Sequence, residues 1–137
     1  MKKMVIVLAV MLVAGAVSFG QRIEDGSRKT IGYIENGTVE NRSRSTIGYI
    51  SADGRIENGS RSTIGYMQKD GRVENGSRST IGYISSNGTV ENGSRSTIGY
   101  VESNGRVENG SRSTIGYAEG VDPRHAALFF FFFFRDR

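Results

Sequence analysis

Arg72-Val73-Glu74-Asn75-Gly76-Ser77-Arg78-Ser79-Thr80-Ile81-Gly82-Tyr83-Ile84 decides the fold. Val, Thr, Ile and Tyr suit strands. Asn-Gly between two such runs supplies the positive φ angles that a tight hairpin turn demands. The stretch therefore reads as one β-hairpin. It is not alone. Ile-Gly-Tyr recurs at Ile31, Ile47, Ile64, Ile81, Ile98 and Ile115, in steps of 16, 17, 17, 17 and 17. Val/Ile-Glu recurs in phase at Ile23, Val39, Ile56, Val73, Val90 and Val107. Fixed spacing of this kind marks a repeat architecture, in which each unit buries its apolar face only against its neighbours.

Two sets of turn signals separate the strands. Asn36-Gly37, Asp53-Gly54, Asp70-Gly71, Asn87-Gly88 and Asn104-Gly105 follow the Tyr strand. Asp25-Gly26, Asn58-Gly59, Asn75-Gly76, Asn92-Gly93 and Asn109-Gly110 follow the Glu. The second repeat has Asn41-Arg42 at this place, where Asn alone is expected to take the left-handed conformation at some cost. The chain is thus all-β, a run of about twelve short antiparallel strands. Near-identical units need near-identical surroundings, which a straight stack or a closed ring provides. A stack needs polar end caps and leaves two open edges, and no capping repeat is visible. The chain opens with a Val/Ile-Glu half and finishes with an Ile-Gly-Tyr half, so the two can pair and close a barrel of hairpins.

After Tyr117 the pattern stops. Asp122-Pro123 reads as an N-cap followed by proline at the first helical position. Arg124, His125, Ala126, Ala127 and Leu128 lead into Phe129, Phe130, Phe131, Phe132, Phe133 and Phe134, and then Arg135-Asp136-Arg137. A helix that is apolar all round must be surrounded. Pro123 to Phe134 spans roughly 18 Å as a helix, close to the ~17–20 Å of a five- or six-residue strand. The tail is therefore expected as an apolar helix that plugs the ring along its axis. The repeated Gly32, Gly48, Gly65, Gly82, Gly99 and Gly116 either make room for the phenylalanines or let the strands bend at the wall. Alternation puts these glycines and the residue after each Tyr on one face, with the Ile and Tyr of Ile-Gly-Tyr on the other. The face that lines the axis stays open.

The tandem Thr-Ile-Gly-Tyr units, the Asn-Gly hairpins and the Ala-Ala-Leu-Phe-rich ending resemble the bacterial β-flower proteins. The resemblance implies a small exported chain folded as a shallow symmetric barrel of radiating hairpins, and it carries no assigned activity or functional residues. That family is called five-fold, whereas six landmark pairs occur here.

At the other end, Lys2 and Lys3 precede an apolar run from Met4 to Val17 and then Ser18-Phe19-Gly20. This is the pattern of a secretory signal cleaved after Gly20. A run of 14 apolar residues falls short of the ~20 that span a bilayer as a helix. The domains expected are residues 1–20 as signal peptide, 21–121 as the six-unit ring, and 122–137 as the Phe-rich helix inside it. The protein is expected in the periplasm or outside the cell. It contains no cysteine, which excludes a lipoprotein anchor, disulfides and thiolate metal sites. Without Lys2 and Lys3 the chain carries 16 basic and 14 acidic side chains, alternating in sign along every repeat, so no nucleic acid is expected as partner.

The only histidine, His125, has no His or Cys near it to form a metal or catalytic set. Glu24, Glu40, Glu57, Glu74, Glu91 and Glu108 form one ring, and Arg28, Arg44, Arg61, Arg78, Arg95 and Arg112 form a second. Cross-strand ion pairing between adjacent units accounts for both rings. The sharper reading makes the arginines a surface that binds a polyanion or a glycan. Six equivalent glutamates offer no contrast of surroundings for acid–base work. The Asn-Gly-Ser triplets follow from hairpin chemistry, and the turns lack the alternate carboxylates of a calcium loop. The sequence thus points to a non-catalytic, cofactor-free envelope module, structural or binding through its symmetric hairpin surface. The alternative is a lipid- or membrane-associating protein that uses Phe129–Phe134, with Arg135 and Arg137 favouring anionic headgroups.

Overall fold

In the computed structural model, which describes residues 21–135, each repeat forms a hairpin from a Glu strand and a Tyr strand. The strands are β1 (Arg22–Asp25), β2 (Thr30–Glu35), β3 (Thr38–Asn41), β4 (Thr46–Ile50), β5 (Arg55–Asn58) and β6 (Thr63–Met67). They continue as β7 (Arg72–Asn75), β8 (Thr80–Ile84), β9 (Thr89–Asn92), β10 (Thr97–Val101), β11 (Arg106–Asn109) and β12 (Thr114–Tyr117). One helix follows, α1 (Pro123–Phe131). Every strand pairs antiparallel with its sequence neighbours, and β1 pairs with β12, so the sheet is a closed barrel. Closure rests on Glu24↔Tyr117 and Asp25↔Gly116. The ring has six hairpins. The expected signal peptide, residues 1–20, lies outside the described residues, as do Asp136 and Arg137.

The turns differ from the sequence expectation in which residue bends left. Asn36-Gly37 is the one two-residue turn with both φ angles positive, 52° and 83°. The other described turns between strands are three-residue loops, a type I turn followed by one left-handed residue. After the Tyr strands that residue is glycine, as at Gly71 with φ 98°. After the Glu strands it is arginine: Arg28, Arg44, Arg61, Arg78, Arg95 and Arg112 have φ between 70° and 72°. The Asn that opens these turns does something else. Asn58 Oδ1 accepts from the backbone N–H of Ser60 (3.0 Å) and of Ser62 (3.0 Å), and Asn41 does the same with Ser43 and Ser45. Arg42 therefore replaces a glycine whose φ is not positive, and the expected cost at Asn41 does not arise.

The face carrying Gly and the residue after Tyr lines the axis. Ile23, Val39, Ile56, Val73, Val90 and Val107 of the Glu strands are 0 % exposed beside it. Strict alternation fails at one place per hairpin. Val39 pairs with Gly48 but Glu40 pairs with Thr46, leaving Ile47 as an extra residue. Such a bulge re-aims a side chain. Ile31, Ile47, Ile64, Ile81, Ile98 and Ile115 pack against the core, while the tyrosines stay outside.

The chain leaves β12 through Gly120 (φ 79°) and enters the barrel as α1. Asp122 caps it, its side chain accepting from the Arg124 N–H. Ala126, Ala127 and Leu128 are 0 % exposed. The helix is shorter than expected because the phenylalanines must follow the ring. Phe129 lies against Gly32, Phe130 against Gly116, Phe131 against Gly99, Phe132 against Gly82, Phe133 against Gly65 and Phe134 against Gly48. Each residue advances one hairpin, about 60° in a six-fold ring, whereas an α-helix turns about 100° per residue. The coil widens accordingly: Phe132 and Phe133 N–H both reach Leu128 O (3.3 and 3.0 Å), and Arg135 N–H reaches Phe129 O (3.0 Å). Six phenylalanines complete one turn, bringing Phe134 back beside Phe129 with ring centroids 6.4 Å apart. The glycines admit the rings: a Cβ on Gly82 would stand 2.5 Å from the Phe132 ring.

Candidate functional site

The outer wall carries six copies of one side-chain cluster. On this wall each Tyr faces the Glu of the next strand, as Tyr33 faces Glu40. The left-handed Arg of the following turn folds back over both. Arg44 Nη1 donates to Glu40 Oε1 at 3.1 Å, and its Cζ lies 3.7 Å above the Tyr33 ring. The same contacts recur at Arg28 (Glu24, Tyr117), Arg61 (Glu57, Tyr49), Arg78 (Glu74, Tyr66), Arg95 (Glu91, Tyr83) and Arg112 (Glu108, Tyr100). The recurring Arg–Glu pairs are therefore four residues apart on one chain segment, and the pairing between adjacent units that the sequence suggested is found at Arg28–Glu119 (3.3 Å) and Arg112–Glu102 (2.8 Å). The stack on Tyr is what reaches from each turn to the neighbouring strand.

A second arginine approaches four of these glutamates. Arg22, Arg55, Arg72 and Arg106 place Nε 3.1–3.4 Å from Glu24, Glu57, Glu74 and Glu108. Where Thr38 and Thr89 replace it, the Glu40 and Glu91 side chains are 25 % and 20 % exposed, against 6–11 % for the other four. The hydrogen bond that Arg28 donates to Glu24 holds its guanidinium above its usual pKa, as the one to Glu108 does for Arg112. No buried side-chain polar atom among the described residues lacks a partner.

The two mouths of the barrel differ. At the mouth where α1 enters, His125 lines a cavity of about 730 Å³ with Asp53, Asp70 and Asp122. Burial holds the imidazole below its ordinary pKa, against the opposing pull of Asp122. No group of three His, Cys, Asp or Glu among the described residues is placed to hold a metal ion. At the far mouth, Phe131–Phe134 and the bulged isoleucines are partly exposed. No helix among the described residues is long and apolar enough to cross a membrane.

The sequence-derived arginine ring thus lies on the outer wall and the phenylalanine run lies inside the barrel. The tyrosines were missed as the arginines' partners. Their signal was a spacing of 12 residues from Tyr49 to Arg61, repeated in each later unit. The family described as 5-fold beta-flower protein matches this chain over residues 20–134. No curated protein and no solved structure matches it.

Proposed function

The chain belongs to the 5-fold beta-flower protein family, and from that premise we propose that it is a non-catalytic, exported module of the cell envelope that binds a repeating partner along its outer wall. This repeat fold is not a known enzyme family. The observation that carries the reading is the six-fold recurrence of one Arg–Tyr–Glu cluster, with each ring arginine side chain 51–63 % exposed. A non-glycine residue held left-handed costs roughly 1–3 kcal/mol. Glycine would avoid that cost, so six arginines at that position argue for a use of the side chain.

Each guanidinium commits one nitrogen to Glu and one face to Tyr. More than half of each ring arginine side chain stays exposed, which leaves donors for a partner. Six weak, identical contacts at regular spacing suit a periodic polymer, such as a glycan or a polyanion, because linked contacts gain affinity without any single strong one. The glutamates repeat in like surroundings, so no pair is set apart as acid and base. Export rests on Lys2, Lys3 and the apolar run that follows.

The test is a glycan and polyanion array probed with the chain from Gln21 onward, beside a variant with Arg→Lys at all six ring positions. Lysine keeps the charge and removes the planar fork and the stack. Binding that falls in the variant while its thermal melt stays cooperative supports the reading. No ligand on the array, or binding untouched by the six substitutions, overturns it. Fractionation of cells expressing the full chain tests export.

A further inference from the structure

We infer that the seam between the first two hairpins is a pocket for an anionic single-chain amphiphile. The pocket arises because a spiral cannot close flat. Phe129, still in the helix, starts the turn and Phe134, five residues further on, ends it, so the two meet with a step between them. Packing is looser at the start of the spiral: a Cβ on Gly32 would stand 3.0 Å from the Phe129 ring, against 2.5 Å for Gly82 and Phe132. At the step lies a cavity of about 490 Å³ floored by Ile31, Ile47, Phe129 and Phe134. That volume falls in the ~300–1,000 Å³ range of small-molecule sites.

An independent observation comes from the repeats. Four of the six turns that follow the Glu strands read Asn-Gly-Ser-Arg-Ser without variation: 58–62, 75–79, 92–96 and 109–113. The two that depart are those flanking this cavity. The first carries Asp25 and Lys29 in place of Asn and Ser, and the second carries Arg42 in place of Gly. Packing does not require these charges, since the other four turns fold the same way without them. Arg42, Arg135 and Asp25 line the cavity mouth. Asp25 Oδ1 accepts from the Ser27 and Lys29 N–H groups at 2.9 and 3.0 Å, and the carboxylate charge also acts on Arg135. Two guanidiniums and one carboxylate then stand over the apolar floor, leaving positive charge in excess.

This arrangement fits an acyl chain laid on Ile31, Ile47 and the Phe134 ring, with a carboxylate, phosphate or sulfate head held by Arg42 and Arg135 through charge-assisted hydrogen bonds. The floor lies at the level of the ring glycines, below turns that are exposed from Arg42 to Ser45. A flat bilayer meets those polar turns first. A free amphiphile reaches the floor, and that is the source we favour over a lipid held in a membrane.

Calorimetric titration of the chain from Gln21 onward with dodecanoate, below its micelle concentration, tests the site. A neutral dodecyl glycoside and vesicles containing phosphatidylglycerol serve as the other arms. Dodecanoate is expected to bind one per chain, shifting the Ile31 and Ile47 methyl resonances. Arg42→Gly, which installs the residue of the other turns, together with Arg135→Gln should weaken it about tenfold or more. Absent binding, binding equal in the double variant, or capture by vesicles without binding of dodecanoate would each overturn the proposal.

Discussion

Gly82 and Gly76 are six residues apart and play opposite parts. A Cβ on Gly82 would meet both the Phe132 ring and Glu91 O at 2.5 Å, whereas on Gly76 the nearest atom would be Thr63 O at 3.5 Å. Gly82→Ala should therefore cost about 1–3 kcal/mol through overpacking, and Gly76→Ala should stay within ~0.5 kcal/mol. Chemical denaturation of the two variants checks both, and equal effects would remove the glycine–phenylalanine fit as the reason for the ring. Asp25 supplies a second contrast, because the corresponding turn residue in the other repeats is Asn. The Lys29 N–H hydrogen bond, helped by that of Ser27, holds its carboxyl below the ordinary 3.8. A depressed folded value means stability that is present above 3.8 and lost as the pH falls through the lowered value. Asp25→Asn should remove that part of the acid sensitivity, read as a flatter profile of melting temperature below pH ~4. The charge at residue 25 was visible in the sequence. Its position at the seam was not, because nothing local says where a spiral begins and ends.

At the scale of elements, the twelve strands and the start of α1 were legible, since turn chemistry and an Asp-Pro cap act within a few residues. The end of the helix was not. Six phenylalanines carry no local signal to stop; the 60° step of the surrounding ring overrides the 100° step of the helix. The left-handed arginines were likewise hidden, because Asn-Gly usually means a two-residue turn, and only the register between strands selects the three-residue loop. Within α1, His125 makes a measurable prediction. Burial places its folded pKa below the ordinary 6.5, with Asp122 pulling the other way. The unfolded chain then takes up the proton first, so this stability is full above 6.5 and lost as the pH falls toward the folded value. His125→Gln should flatten the stability profile between about pH 7 and 5, measured by denaturation at each pH. An unchanged slope would mean that the imidazole meets solvent as freely as in the unfolded chain.

For the whole molecule, the count of phenylalanines equals the count of hairpins. Deleting one unit, residues 85–101, should leave six rings for five glycines and destroy cooperative unfolding. Deleting the same unit together with Phe134 should restore it in a smaller barrel. Thermal melts of the two deletions decide the matter, and equal melts would show that the tail tolerates any ring size. The same match bears on closure. Only two residue pairs join β1 to β12, so the phenylalanine turn, which touches every hairpin, is what couples that junction to the rest. Hydrogen exchange should accordingly be fastest in β1 and β12 and slow in β7 and β8. The reverse order would mean that the strands close the barrel without help from its core.

By itself the sequence determined an all-β chain of repeated hairpins, and it favoured closure of the ring and burial of the tail. Those properties follow from local turn chemistry, from repetition, and from the cost of exposing six adjacent phenylalanines. Tertiary structure alone decided which strand face turns inward, which residue of each turn bends left, and how the tail winds. It also decided where the charged departures of the first two repeats come together. Each of these depends on contacts between residues far apart in the chain: a bulge set by strand register, a stack reaching to a neighbouring strand, and a coil whose pitch is imposed by the ring around it.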